Sequence, residues 1–193
     1  YEKHNNDLEN IGYRDYLLRL AGALLPKLEQ DARGLDFGCG TVPVMADIFA
    51  DRGYQQSSYD CFFYPQASLL KEPHDFITCS EAVEHFHHPA NDFGLINTLL
   101  RPGGWLGIMT GILQDDRNFK GWWYTRDFTH VCFYSKATME WLADYFGWGL
   151  IRLDGNIALF QKDGVKSAVP KTRAHYNIAA ENRVATESPD RIT

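Results

Sequence analysis

The stretch Gly34-Leu35-Asp36-Phe37-Gly38-Cys39-Gly40-Thr41-Val42-Pro43 decides the fold. Gly34 to Phe37 reads as a short buried strand that runs into a glycine turn and then into a helix. Glycine has no Cβ, so a chain can turn sharply there and a ligand can lie against bare peptide. The helix beyond such a turn begins with unpaired backbone N–H groups. In open α/β sheets the ligand crevice lies outside the carboxyl ends of the strands, which is where this turn sits.

Downstream, Gln55 to Asp60 is a candidate second strand. Asp60 falls at its end, about twenty residues past Gly40, where an acid can accept both ribose hydroxyls of a nucleoside cofactor. Dinucleotide sites carry a third glycine that brings the helix N-terminus up to a pyrophosphate. Here Val42-Pro43 follows Gly40 instead. Asp36, two residues before Gly38, repels a pyrophosphate but suits the cationic amino end of a methionine moiety. S-adenosylmethionine therefore fits these residues better than NAD, and a nucleotide-dependent oxidoreductase is disfavoured.

Working outward, apolar residues from Tyr13 to Leu28 recur at helical spacing, so an amphipathic helix is expected over Tyr13–Glu29, with Pro26 shortening its last turn. Val44, Met45, Ile48 and Phe49 form the apolar face of a second helix that stops by Gly53. His74 to Ser80 is a further strand. Pro89 opens a helix ending at Arg101-Pro102-Gly103-Gly104, and Trp105 to Thr110 is an apolar strand. Ser135 can N-cap a helix that stops at Gly147. Two strands near Gly149–Leu153 and Ile157–Gln161 flank the hairpin signal Asp154-Gly155-Asn156.

Strands alternating with helices give the expected fold class, α/β: a Rossmann-like, mainly parallel sheet with helices on both faces and a C-terminal antiparallel hairpin strand. The expected organisation is an N-terminal helical segment (1–32), a cofactor-binding domain (33–162) and a polar, flexible tail (163–193).

The 193 residues are 45% hydrophobic, which suits one core, and carry a formal net charge of -6 with no Lys/Arg-rich stretch, which makes a nucleic-acid partner unexpected. No apolar run nears the roughly 20 residues of a membrane helix, and no signal pattern is visible. The four cysteines form no CxxC pair and are expected to be reduced thiols in a cytoplasmic protein. Tyr rather than Met at position 1 fits a chain with upstream sequence.

Three ordered motifs carry a family resemblance. Leu35-Asp36-Phe37-Gly38-Cys39-Gly40 resembles motif I of the class I S-adenosylmethionine-dependent methyltransferases. Asp75-Phe76-Ile77-Thr78-Cys79-Ser80-Glu81-Ala82-Val83-Glu84-His85-Phe86 is similar to their fourth-strand segment. Leu99-Leu100-Arg101-Pro102-Gly103-Gly104-Trp105-Leu106 is similar to the segment that precedes their fifth strand. The resemblance implies that Asp36, Gly38, Cys39 and Gly40 hold the methionine end of the cofactor and Asp60 the ribose. It puts Cys61, Phe62 and Phe63 around the adenine, and Ser80 and Glu81 on the cofactor floor. The interval from Asp60 to His74 is short, so the family's usual helix, third strand and adenine-contacting acid are expected to be reduced or lost there.

Methyl transfer needs alignment of the nucleophile and removal of its proton. Imidazole titrates near neutral pH, so His85 and His130, with Glu81, are the candidate catalytic groups. Read as one helical turn, Glu81-Ala82-Val83-Glu84-His85 puts Glu81 on a face with Glu84 and His85. With His130 these residues could hold a divalent cation, but ligand spacing alone is permissive and no metal is assigned. Asp115 to Tyr134 is an insertion rich in aromatic residues, which can wall a site for a flat or apolar acceptor or simply pack the loop. The expected activity is methyl transfer from S-adenosylmethionine to a small-molecule acceptor. A catalytically inactive cofactor-binding module and a metal-assisted O-methyltransferase are the alternatives.

Overall fold

The computed structural model describes residues 11–114 and 118–164. The N-terminal helix α1 (Ile11–Leu24) passes into a 3-10 turn at Leu25–Lys27 that contains Pro26. It therefore stops short of the Glu29 expected from its apolar spacing, because Pro26 has no N–H to extend the ladder. Then follow β1 (Arg33–Phe37), α2 (Val44–Ala50), β2 (Gln55–Tyr59), β3 (His74–Ser80), α3 (Pro89–Leu99) and β4 (Leu100–Met109). Two short strands, β5 (Ile112–Leu113) and β6 (Tyr134–Ser135), bracket the insertion. The chain closes with α4 (Lys136–Phe146), β7 (Trp148–Asp154) and β8 (Ile157–Lys162).

The main sheet has six strands in the order β2-β1-β3-β4-β8-β7. The pairs β1–β2, β1–β3 and β3–β4 are parallel, whereas β4–β8 and β7–β8 are antiparallel. This is the mainly parallel α/β sheet with a closing hairpin expected from the alternation of elements. β4 begins at Leu100 rather than Trp105, since Leu100 pairs with His74 before the register shifts and resumes at Trp105 opposite Phe76. Between Asp60 and His74 the chain makes only a turn, closed by an Asp60–Tyr64 bridge, and a 3-10 segment at Ala67–Lys71. No strand forms there, so β2 is the edge of the sheet.

Side-chain alternation along the strands builds two cores. On one face Phe76, Met109 and Leu159 meet Leu17, Leu20 and Leu24 of α1 and Ile48 and Phe49 of α2. On the other Ile77, Ile108 and Phe160 meet Phe93, Ile96 and Leu99 of α3 and Met139 and Leu142 of α4. Ser135 accepts from the Thr138 N–H at 3.3 Å and Thr138 accepts in return, and α4 ends at Gly147 in the left-handed region (φ +70°), as its sequence indicates. Lys162 Nζ donates to the carbonyls of Asn97 and Leu100, satisfying the end of α3. No helix among the described residues is long and apolar enough to cross a membrane. The polar tail expected at 163–193 lies outside the described residues beyond Gly164.

Candidate functional site

The carboxyl ends of β1, β2 and β3 carry the candidate cofactor residues. Gly38 (φ +83°) and Gly40 (φ +67°) both take left-handed backbone, which an L side chain adopts only at a cost. At Gly38 space is closed as well, because an added Cβ would stand 2.6 Å from the Cβ of Ala82. The turn is fixed to β2: the N–H groups of Gly38 and Cys39 both donate to the Tyr59 carbonyl, at 2.8 and 3.1 Å. Asp60 holds it on the other side, with Oδ2 accepting from Gly40 N–H at 3.1 Å. Its Oδ1 accepts from Phe62 and Phe63 N–H at 2.8 and 3.1 Å. Each carboxylate oxygen has two lone pairs, so Asp60 keeps acceptor capacity beyond these backbone bonds.

Asp36 is buried, and Thr78 Oγ1 donates to its Oδ1 at 2.7 Å. Burial pushes its carboxyl up to about 7, the Thr78 hydroxyl opposes that shift, and the Asp60 charge adds to it. Ser80 Oγ is buried with no hydrogen-bond partner among the described residues. A buried hydroxyl left unpaired at the carboxyl end of β3 suits a polar ligand that completes the site. Cys39 directs its thiol to the Gly40 carbonyl, and Cys61 is exposed. The Phe62 ring is 79% exposed, so Phe62 meets this region through its N–H rather than its ring.

Glu81 departs from the helical-turn reading. Among the described residues it is the one non-glycine with positive φ (+48°), and only Val83–His85 form a 3-10 turn. The chain leaves β3 through this left-handed residue, whose N–H donates to the Met109 carbonyl at 2.8 Å, so Glu81 does not share a helix face with Glu84 and His85. The two carboxyls still interact electrostatically. Glu81 also accepts from Tyr16 Oη at 2.7 Å. Glu84 is wholly buried and accepts from Thr110 Oγ1 at 2.9 Å and from Tyr124 Oη. Burial raises both carboxyls, and the Glu84 charge raises Glu81 further. The hydroxyl donors favour charge on Glu84 and oppose its rise.

His85 and His130 come together from distant segments, with ring centroids 5.0 Å apart. His85 Nδ1 lies 2.9 Å from the Thr129 carbonyl and His130 Nδ1 lies 2.8 Å from the Tyr124 carbonyl. A carbonyl only accepts, so each Nδ1 carries the proton and the lone pair of the neutral ring is on Nε2. Glu84, His85 and His130 offer ligand atoms within 4.8 Å of one another, a set that could hold a cation.

The insertion from Tyr124 to Tyr134 is tied to the 83–86 segment. Glu84 O accepts from the N–H groups of Val131 and Cys132, both at 2.9 Å, and Tyr134 Oη donates to the Val83 carbonyl at 2.8 Å. Trp122 and Tyr124 are buried and stacked, whereas Trp123 (64%) and Phe128 (92%) stand exposed. The aromatic residues thus divide between packing and an outward rim. Periodicity had hidden the site contacts of Tyr16, Thr110 and Tyr124, because the helical, strand and loop patterns around them carry no mark of a distant carboxylate.

A family model described as a methyltransferase domain matches residues 9–153. The chain belongs to this family. Its cofactor class is S-adenosylmethionine, consistent with the turn and the acids at β1 and β2. A segment of 69 residues is 36% identical to a ubiquinone biosynthesis O-methyltransferase of Histophilus somni (strain 2336). That match covers 36% of this chain and 27% of the relative, so it spans about a quarter of the relative's length. Among solved structures, Burkholderia thailandensis 1,6-didemethyltoxoflavin-N1-methyltransferase, with bound 1,6-didemethyltoxoflavin and S-adenosylhomocysteine, superposes with TM-score 0.58. Its sequence is 14% identical, over 76% of this chain and 78% of that one. An S-adenosylmethionine-dependent methyltransferase from Archaeoglobus fulgidus superposes with TM-score 0.57 at 16% identity, over 77% and 94%. At these identities the likeness of the methyltransferase to solved structures is one of fold.

Proposed function

We propose that this methyltransferase transfers the methyl group of S-adenosylmethionine to a small-molecule acceptor. The observation that carries this reading is the β1–β2 cradle. Asp60 is locked to three backbone N–H groups and keeps one acceptor site on Oδ2, Asp36 is buried beside the glycine turn, and the Ser80 hydroxyl is orphaned at the end of β3. In this reading Asp60 accepts the ribose hydroxyls, and Asp36 faces the cationic amino end of the methionine moiety. Gly38, Cys39 and Gly40 present bare backbone, while Ser80 and Glu81 form the floor. The Cys61–Phe63 backbone borders the adenine. Bound here, the cofactor supplies an electrophilic methyl on a sulfonium, open to in-line attack by an acceptor lone pair.

His85 and His130 are the groups to take the acceptor's proton, since backbone carbonyls fix both Nδ1–H groups and direct basicity to Nε2. Asp127 Oδ2, 3.8 Å from His130 Nε2, steadies the ring once it is protonated. The exposed rings of Trp123 and Phe128 on a pinned insertion suit a flat or apolar acceptor. The H. somni relative, named for ubiquinone biosynthesis, supports a small-molecule acceptor class.

A second reading is favoured by the same anchoring. Metal-bound imidazoles are oriented by just such Nδ1–H bonds to carbonyls, so Glu84, His85 and His130 would hold a divalent cation that assists an O-methyl transfer. The test is to incubate the protein with S-adenosylmethionine and a panel of phenols, catechols and amines, measuring S-adenosylhomocysteine release with and without EDTA. Turnover that survives EDTA supports the histidine base, and turnover restored only by added divalent cation supports the metal. Cofactor binding without turnover on any acceptor would leave a cofactor-binding module.

A further inference from the structure

We propose that Tyr16, on α1, is a positioning residue of this site that acts through Glu81. In the helix pattern Tyr16 belongs to the apolar stripe, and Leu17, Leu20 and Leu24 are indeed fully buried. Tyr16 is not: it is half-buried, and its hydroxyl reaches a carboxyl at the far end of β3. Oη donates to Glu81 Oε1 at 2.7 Å and accepts from Asn156 Nδ2 at 2.6 Å. Asn156 sits in the turn of the β7–β8 hairpin, and its carbonyl accepts from Thr110 N–H at 3.0 Å. Thr110 Oγ1 in turn donates to Glu84.

The run of hydrogen bonds Glu81–Tyr16–Asn156–Thr110–Glu84 therefore joins four segments far apart in sequence. Such a network of bonds fixes each member more firmly than a single contact would. Glu81 needs that support, because a non-glycine residue at φ +48° holds its conformation only where its surroundings over-determine it. Met109 takes its N–H and Tyr16 takes its carboxyl. One turn earlier on α1, Tyr13 bears on the same region. Burial raises its phenol, and the Asp36 and Glu81 carboxyls raise it further. Through Tyr16, α1 therefore lines the Glu81 side of the site.

This inference rests on the cofactor reading above. S-adenosylhomocysteine is titrated calorimetrically into wild type, Tyr16→Phe, Glu81→Gln and the double variant, with ligand-free melting recorded for each. Tyr16→Phe is expected to weaken binding about five- to tenfold, as loss of one hydrogen bond does. Glu81→Gln is expected to weaken it at least as much, and the double variant to match Glu81→Gln alone. Asn156→Ala, which releases the other side of Tyr16 Oη, should give a smaller loss that also vanishes beside Glu81→Gln. Wild-type affinity in Tyr16→Phe, no effect of Glu81→Gln, or losses that multiply in the double variant would overturn the proposal while leaving the cofactor reading intact. No binding by wild type would overturn both.

Discussion

Asp36, one residue before the end of β1, carries a carboxyl that burial raises to about 7, far above an ordinary aspartate. Between about pH 4 and 7 the folded state keeps a proton that the unfolded chain has already lost. Stability of the ligand-free protein therefore falls as pH rises through this window, and above it the protein carries a buried charge. Glu81, raised to about 7 as well, adds to the same fall, so Asp36→Asn is expected to lessen it and raise ligand-free stability at pH 8, on the order of a few kcal/mol, while weakening S-adenosylhomocysteine binding. Urea unfolding at pH 5 and pH 8, with and without ligand, checks both signs. Glu84 tests a different balance. Glu84→Ala leaves the Thr110 and Tyr124 hydroxyls buried without their acceptor, and is expected to cost about 2–4 kcal/mol. Tyr124→Phe removes one donor and should cost less, about 1–3 kcal/mol, in the same assay. Asp36 and Asp60 were legible because each sits at a fixed interval from the glycine turn. Thr78, Thr110 and Tyr124 were not, because nothing local marks a hydroxyl whose acceptor lies dozens of residues away.

At the scale of elements, the β1–α2 turn separates two kinds of glycine. Gly38→Ala meets both the left-handed backbone cost and the Ala82 Cβ, whereas Gly40→Ala meets the backbone cost alone, with open space around it. Thermal melting should therefore show Gly38→Ala clearly the more destabilised, with Gly40→Ala down by about 1–2 kcal/mol. Equal losses would mean that the Ala82 contact relaxes freely. Strand and helix positions were largely readable, since β1, β3, α3 and α4 carry regular apolar spacing, Pro89 and Ser135 mark the starts of the two helices, and Gly147 marks the end of α4. The connection after β3 was not. Glu-x-x-Glu-His has helical spacing, but a left-handed Glu81 precedes a three-residue turn, and only tertiary bonds from Met109 and Tyr16 select that path. The insertion's aromatic content was visible, whereas its division into buried Trp122 and Tyr124 and exposed Trp123 and Phe128 depends on the 83–86 segment it docks against.

Across the whole molecule, the sheet stops at β2 on one side and is finished by an antiparallel hairpin on the other. The short Asp60–His74 interval foretold the missing strand, and Asp154-Gly155-Asn156 foretold the hairpin. What the chain order concealed is that the first helix and the last hairpin turn meet at the site, through Tyr16 and Asn156. The most direct measurement is calorimetric titration of the purified chain with S-adenosylhomocysteine, run beside NAD and beside Asp60→Asn. The expected result is saturable binding of about one equivalent of S-adenosylhomocysteine, a marked loss in Asp60→Asn, and no comparable binding of NAD. Absence of S-adenosylhomocysteine binding, or tighter binding of NAD, would contradict the cofactor site assigned to Asp36, Gly38, Gly40 and Asp60.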